Sequence, residues 1–297
     1  RQEGLEIATY DDACNIGYCS INGATIGGWG ANYTTVSTLV DFSNAVSASG
    51  PGVIIVEGAI SGDAEVIIGS SKSIVGIGLY LNGSRNVILR NLKIANAQGP
   101  AVSIENSRSI WVDHCDLSSQ ANQGSETDDS LIRITRGSDY LTVTGTVFRD
   151  HSQAVLVGHA DSNGEEDKGK FHVTFARNYF QNVESAISYR FGTGHIFNSY
   201  YENVVDGINT RMGAELLIES SVFEESGRAV FSENSTEIGY ATIRDVMFGD
   251  SSSSAPAGNM TSNSVPYPYD WYVWETDQVR ASVVSQAGQK LEFLVWD

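Results

Sequence analysis

The sequence is poor in cysteine, proline and positive charge, and it lacks any long apolar run. Its 297 residues include 3 Cys, 5 Pro and 18 Lys+Arg against 36 Asp+Glu, which gives a net charge of -18. No run of about 20 apolar residues occurs, so no membrane-spanning segment is predicted. A surface this negative argues against nucleic acid as a partner, and it repels other polyanions unless local cations or a metal intervene.

The three cysteines divide into a close pair and a single residue. Cys14 and Cys19 lie five residues apart in a polar, glycine-containing segment. We predict a small disulfide loop near the surface, with two free thiols as the alternative. Cys115 lies inside a strand-like run and is predicted to be a buried free thiol.

Four Asn-x-Ser/Thr sequons occur in this Ser/Thr-rich chain. Sequons of this kind are acceptors of N-linked glycans in secreted proteins, so they favour a secreted, extracellular protein. The chain opens at Arg1 without an apolar leader, and we expect any signal segment to have been removed. The predicted glycosylation sites are Asn32, Asn82, Asn234 and Asn259.

A short strand-like pattern recurs between about residues 72 and 250. Each unit has a β-branched or aromatic run, a polar break and a second short run, as in residues 84–94 and 107–117. Alternation with period 2 predicts strands. The last apolar residues of successive units are separated by about 21 to 32 residues, which is typical of a stacked coil of three short strands with inserted loops. These residues are Ile94, Leu117, Phe148, Phe180, Tyr201, Phe223 and Phe248.

The repeat predicts an all-β, right-handed, single-stranded parallel β-helix that forms one domain over residues 1–297. A leucine-rich repeat would need a Leu-x-x-Leu-x-Leu framework, which is absent, and an antiparallel sandwich would not explain the similarity between units. Asn91, Asn178 and Asn198 are predicted at bends because asparagine tolerates left-handed backbone.

The segments that flank the repeat have other patterns. Residues 36–46 have helical spacing behind a polar start and predict an N-terminal capping helix, whereas residues 277–288 predict a second helix that ends at glycine. Residues 251–270 are rich in Ser, Pro and Tyr and are predicted to form a packed strap.

Several motifs of the chain resemble those of pectate and pectin lyases, polysaccharide lyase family 1. They lie at residues 111–116, 156–159, 190–201 and 206–211, and the resemblance to fungal members runs nearly end to end. It implies a secreted parallel β-helix that cleaves α-1,4-linked galacturonan by β-elimination. Pectate lyases usually use Ca²⁺ for this and pectin lyases do not. A galacturonan-type polysaccharide is therefore the expected partner, and a monomer is expected.

The catalytic positions depart from the family pattern. In the family, an Arg at the head of an Arg-x-Pro-x-x-Arg motif is the base, and a Lys and the second Arg bind carboxylates. By this resemblance Arg190 keeps the second Arg, but Ser185 stands at the base, Ile187 at the Pro and Gln153 at the Lys. A serine hydroxyl without an adjacent base abstracts a C5 proton poorly.

The calcium positions depart as well. The positions that the resemblance assigns to calcium ligands are occupied by Pro100, Asp129 and Arg133. One carboxylate beside a guanidinium is a poor calcium site, since Ca²⁺ takes six to eight oxygens. No cofactor is therefore predicted, although the resemblance itself implies Ca²⁺.

Two interpretations of the site remain open. In the first, Arg133 replaces calcium and forms the catalytic pair with Arg190, with Arg190, Arg211 and His159 as candidate bases. Arg211, His159 and Asp129 are the predicted substrate-binding residues. In the second, the groove has lost its catalytic machinery, and the protein binds cell-wall polysaccharide without cleaving it. Elimination on a different uronic-acid polymer is a further alternative, and Arg190 or Arg211 could instead pair with acidic side chains.

Overall fold

The computed structural model describes residues 7–58, 60, 66–75, 79–95, 99–119, 130–260 and 267–293. Most of its regular structure is short β-strand, with helices at the flanks and in one insertion. The strands are β1 (Ile7–Ala8), β2 (Tyr33–Val36), β3 (Gly52–Val56), β4 (Lys72–Val75), β5 (Leu79–Asn82), β6 (Arg85–Arg90), β7 (Lys93–Ala95), β8 (Val102–Glu105), β9 (Arg108–Asp113), β10 (Asp116–Ser118), β11 (Ile132–Thr135), β12 (Asp139–Thr144), β13 (Val147–Val157), β14 (His172–Ala176), β15 (Tyr179–Arg190), β16 (Thr193–Phe197), β17 (Tyr200–Arg211), β18 (Glu215–Glu219), β19 (Val222–Glu224), β20 (Arg228–Phe231), β21 (Tyr240–Arg244), β22 (Ser252–Ser253) and β23 (Glu292–Phe293). The α-helices are α1 (Leu39–Ser47), α2 (Gly164–Asp167) and α3 (Thr276–Gln286), and single 3-10 turns span Gly17–Ser20 and Asp161–Asn163.

Two long sheets contain nearly all of these strands. The first sheet has 11 strands and follows the path β22-β20-β17-β15-β13-β11-β8-β5, with β7, β10 and β19 joined to it. The second sheet has 10 strands in the order β2-β3-β4-β6-β9-β12-β14-β16-β18-β21. Neighbours pair in parallel, as β13 with β15 and β6 with β9 do. The long strands β13, β15 and β17 turn a corner at Asp150, Asn182 and Asn203, whose φ values are 56°, 53° and 52°.

The apolar residues that mark the repeat stack in register through the core. Ile94 pairs with Leu117, Leu117 with Phe148, and the series continues to Phe223. The rings of Phe148, Phe180 and Tyr201 are stacked with centroids 4.8 Å apart. Each coil therefore buries its apolar side chains against the same residues of its neighbours, and the predicted parallel β-helix is confirmed.

The predicted asparagine bends are largely correct. Asn91 and Asn198 have φ values of 54° and 53°, in the left-handed region. At the third bend, Arg177 takes this conformation with a φ of 59°. The neighbouring Asn178 is buried, and its side-chain oxygen accepts a 3.0 Å hydrogen bond from the Thr146 N–H. Asparagine therefore has two roles in this fold: it forms bends, and as a buried amide it hydrogen-bonds the adjacent coil.

The N-terminal helix begins three residues later than the pattern predicts. Thr38 is its N-cap and accepts a hydrogen bond from the Asp41 N–H at 3.2 Å, while the residues before it extend as β2. Phe42 and Val46 are buried in the main core, so α1 covers apolar side chains at this end of the coil stack.

The C-terminal segment packs across the outside of the coils. Helix α3 buries Val279 and Val283 against Tyr200, and Gly288, with a φ of 97°, follows its end. The predicted helix is therefore confirmed. Of the predicted strap, residues 261–266 lie outside the described residues, whereas Met260 is buried against the second sheet as predicted.

The predicted disulfide between Cys14 and Cys19 is present, but its predicted surface position is wrong. Both cysteines are buried against Ile88 and Trp111, because the N-terminal segment folds over the outer face of the second sheet. Cys115 is the buried free thiol expected, and burial raises its pKa to about 12.

The surface features bear on the predicted compartment. All four sequon asparagines are exposed, while their glycosylation stays a prediction. Among the helices that the structure describes, none has the length and apolar character to cross a membrane. The assignment of residues 1–297 to one domain also stays a prediction.

Candidate active site

The outer face of the first sheet carries both predicted catalytic arginines. Arg133 in β11 is in register with Leu156 in β13, which is in register with Ser188 in β15. Arg190 follows Ser188 by two residues, so its side chain leaves the same face of the sheet. Strand spacing and rise together place the Cα atoms of the two arginines roughly 12 Å apart. The two arginines therefore leave the same face of the sheet, while their catalytic role stays a prediction.

Arg190 forms an ion pair with Asp161. Its Nε donates to Asp161 Oδ1 at 2.8 Å, and its Nη1 donates to the Gly158 carbonyl at 3.1 Å. The other oxygen of Asp161 accepts from the Ser235 hydroxyl at 2.8 Å and from the Thr236 N–H at 2.7 Å. Burial acts to raise the pKa of Asp161, but these hydrogen bonds and the charge of Arg190 outweigh it and lower the pKa to about 2. Asp161 is thus charged at neutral pH.

The acidic insertion after β13 is more than a solvated loop. A run of acidic residues such as 161–168 is typical of a solvent-exposed segment, yet Asp161 bonds two separate parts of the chain. Asp167 is buried as well, and it accepts a 2.9 Å hydrogen bond from the Gly137 N–H. Its pKa is raised by burial. The acidic run is therefore partly a structural device that holds the insertion against the first sheet.

Arg211 differs from the other two arginines because it has no carboxylate partner within the described residues. It is in register with Arg190 on the next strand, and its buried Nε has no hydrogen-bond partner. Burial lowers the pKa of Arg211 to about 10, and the charge of Arg190 adds to this, while Asp161 and Asp206 act in the opposite direction. Burial therefore makes Arg211 easier to deprotonate than an ordinary arginine.

Arg133 shares a carboxylate with a second arginine that the sequence did not reveal. Its Nη2 donates to Glu105 Oε1 at 3.1 Å and to the Ser103 hydroxyl at 3.2 Å. Glu105 Oε2 pairs with Arg136 Nε at 2.9 Å. No local pattern in the sequence marks these partners. The register in which β8 pairs with β11 brings their side chains together. The result is a carboxylate between two guanidinium groups.

A cleft of about 240 Å³ opens beside this cluster. It brings the predicted residue His159, which is exposed, to the same place as Arg133. The cleft thus joins the insertion after β13 to the arginine face. Its lining consists of Glu105, Arg133, Thr135, Arg136, His159 and Asn163.

The row that contains Ser185 offers no unpaired charge. Ser185 is in register with Gln153 on one side and Asp206 on the other. Asp206 is bound by Arg228 through two hydrogen bonds of 2.9 and 2.7 Å. Gln153 donates to the Val155 carbonyl at 2.9 Å. The two positions where the family pattern has an Arg and a Lys are therefore neutral.

The described residues do not fit a calcium site. Pro100 has no side-chain oxygen, and Arg133 places a positive charge where a ligand carboxylate would be needed. Asp129 lies outside the described residues. Within the described ranges, no three His, Cys, Asp or Glu side chains are grouped to hold a metal ion. We derive no step through calcium, and the absence of a cofactor stays a prediction.

Fold and site together define a parallel β-helix protein with a row of arginines on one outer face. A family model described as pectate lyase matches residues 6–291. Pectate lyase A of Aspergillus niger is 46% identical over 300 residues, which cover 96% of this chain and 90% of that protein. The chain belongs to the pectate lyase family.

Solved structures of similar proteins agree with this assignment. Pectate lyase II from Xanthomonas campestris superposes with a TM-score of 0.77 at 25% identity, covering 93% of this chain and 98% of that one. A pectate lyase from Bacillus sp. N165 gives a TM-score of 0.73 at 24% identity, with coverage of 93% and 98%. The second of these shows a shared fold.

Proposed function

We propose that the protein is an extracellular, monomeric lyase that binds galacturonan-type polysaccharide on its arginine face and cleaves it by β-elimination. The observation that carries this proposal is Arg211, which has no carboxylate partner among the described residues and whose pKa is lowered to about 10. It lies beside Arg190 and on the sheet that presents Arg133. The curated relatives named pectate lyase support the substrate class, and the Bacillus sp. N165 structure contains trigalacturonate.

The reaction needs a base and a source of positive charge. A base removes the C5 proton next to the uronate carboxyl group, a double bond forms between C4 and C5, and the bond from C4 to the glycosidic oxygen breaks. The departing oxygen takes up a proton. Neutral Arg211 accepts the C5 proton in our proposal, because burial lowers its pKa to about 10. Arg133 and Arg190 stabilise the charge that develops on the carboxylate.

The substrate would extend from these arginines into the cleft. His159 is exposed at the cleft, where a neighbouring sugar would contact it. The loop that carries Ser235 and Thr236 is bonded to Asp161, so it encloses the Arg190 side of the site. This arrangement supports binding of a chain along the sheet rather than of a single sugar in a closed pocket.

The test is formation of the unsaturated uronide product, which absorbs ultraviolet light. Polygalacturonate and methyl-esterified pectin are compared, with other uronic-acid polymers in the same panel. We expect the rate to rise with pH towards about 10, because the neutral fraction of Arg211 rises. Arg211→Gln is expected to abolish product formation, whereas Arg149→Gln, which removes an arginine paired with Asp116 elsewhere, leaves the rate unchanged. Absence of product from every polymer would end the proposal.

A second candidate function is binding without cleavage. Arg133 and Arg190 are already engaged in ion pairs, and Ser185 is neutral. Both facts favour binding without cleavage. It predicts saturable binding of oligogalacturonides in a calorimetric titration, with no unsaturated product over the same time. Product that accumulates in proportion to the protein added would exclude this candidate.

A further inference from the structure

Two arginines lie side by side on the second sheet, away from the arginine face of the first. Arg85 begins β6 and Arg108 begins β9, and the two are in register. Both are exposed, and neither forms an ion pair within the described residues. Like charges directly opposite each other destabilise a strand pair. Such a pair is unexpected in a chain that has 36 acidic residues and only 18 basic ones.

Arg108 lacks an ion pair for a structural reason. Asp139 is in register with Arg108, but its Oδ1 accepts hydrogen bonds from the Tyr140 N–H at 3.1 Å, the His172 N–H at 3.0 Å and His172 Nδ1 at 2.7 Å. That carboxylate is also buried. The neighbouring acid is therefore committed to its own coil and to the next one, and it does not neutralise Arg108.

The Arg108 guanidinium lies instead over an aromatic ring. Its central carbon is 4.4 Å from the centroid of the Tyr140 ring. The Tyr140 ring in turn stacks on His172, with centroids 5.4 Å apart and an angle of 10° between the planes. Stacking fixes the plane of a guanidinium while its N–H edges stay available to an acceptor. Arg85, Arg108, Tyr140 and His172 thus form a strip across four coils, which we call the Arg85 strip.

We propose that the Arg85 strip is a second binding site, specific for a carboxylate-bearing oligosaccharide such as an oligogalacturonide. Paired guanidinium groups recognise carboxylates through parallel hydrogen bonds. Two arginines one strand spacing apart, about 4.8 Å, can bind a single carboxylate or two neighbouring ones. The Tyr140 ring, held between Arg108 and His172, keeps the Arg108 guanidinium in place beside Arg85. Such a site attaches an acidic polymer to an acidic protein without help from the first sheet.

The proposal is tested by titrating the intact protein with trigalacturonate at low salt in a calorimeter. The Arg85→Gln/Arg108→Gln variant is expected to lose one binding site per chain, or to bind about tenfold more weakly, which corresponds to two exposed charge-assisted contacts. Added salt weakens the same site in the unaltered protein. The matched control is Lys93→Gln/Arg149→Gln, which removes the same charge from other strands and keeps the site.

Three results would overturn the proposal. They are unchanged stoichiometry and affinity in Arg85→Gln/Arg108→Gln, an equal loss in the control variant, and equally tight binding of the fully methyl-esterified ligand. Removing the like-charge pair should not lower the melting temperature, so unfolding would not explain a loss. Arg108→Lys keeps the charge but not the planar stacking, and we expect it to bind about threefold more weakly than the unaltered protein.

The two sites can be separated by their readouts. Arg211→Gln addresses the first sheet and should leave the Arg85 strip able to bind. Arg85→Gln/Arg108→Gln should leave formation of unsaturated product from a short oligomer unchanged. If the groove binds nothing, the unaltered protein still shows the one site that the double variant lacks. The binding site at the Arg85 strip is therefore tested independently of the proposed lyase function.

Discussion

The Asp161→Asn substitution would remove the charge that holds Arg190 while keeping the size of the side chain. The Arg190 and Asp161 side chains are 12% and 24% exposed. Exposed ion pairs contribute about 0–1 kcal/mol, and breaking a buried pair by removing one partner costs about 3–5 kcal/mol. This pair lies between the two cases, so we expect the free energy of unfolding to fall by about 2–3 kcal/mol. At the usual unfolding entropy per residue, this lowers Tm by about 4 °C.

The pH dependence of this loss follows from the lowered pKa of Asp161. The folded-state pKa is about 2, against an ordinary value of 3.8. The stabilisation is therefore complete above the ordinary value and is lost as the pH falls through about 2. The stability difference between the two proteins should narrow as the pH is lowered from neutral towards that range.

The same substitution should also change Arg211. The charge of Asp161 acts to raise the pKa of Arg211, so its removal should lower that pKa further below about 10. The alkaline rise of the elimination rate would then move to lower pH. The assays are urea unfolding at several pH values and a pH profile of product formation, with the exposed Glu165→Gln as control. A stability loss below about 0.5 kcal/mol, a difference independent of pH, or a profile that moves to higher pH would refute the reasoning.

Three other substitutions test the groove and the fold. Ser185→Arg places a guanidinium in the row between Gln153 and Asp206, and should raise the rate of product formation by about a hundredfold; an unchanged rate with intact binding would favour the binding function. Cys14→Ala/Cys19→Ala opens a small loop and should lower the free energy of unfolding in urea by about 2 kcal/mol, whereas no change would mean that packing alone holds the segment. Phe180→Ala interrupts the stacked rings of the core and should cost about 3–5 kcal/mol in the same assay; a loss below about 1 kcal/mol would contradict the packing described here.

The fold could be predicted because each coil is specified by its own short stretch of sequence. A coil pairs only with its neighbours, so a repeated apolar pattern implies a repeated structure. Phe148, Phe180 and Tyr201 illustrate this, since their spacing along the chain already gave the register in which they stack. The start of α1 was less predictable, because the choice between strand and helix before Leu39 depends on pairing between β2 and β3.

The site was only partly predictable. The arginines were found by resemblance, and the strand register of the structure places Arg133 and Arg190 on one face. Their partners Asp161 and Glu105 come from other coils, and nothing local distinguishes them from other acidic residues. An ion pair depends on two side chains that meet after the chain has folded, so its members cannot be identified from either one alone.

The sequence by itself determined the stack of coils, the core that fills it and the sheet that carries the arginines, because these follow from local periodicity. Only the tertiary structure decided which arginines are paired. Pairing requires a carboxylate within reach of the guanidinium, and that distance depends on how the insertions fold back. For that reason Arg190 is paired, whereas Arg211, Arg85 and Arg108 have no carboxylate partner within the described residues.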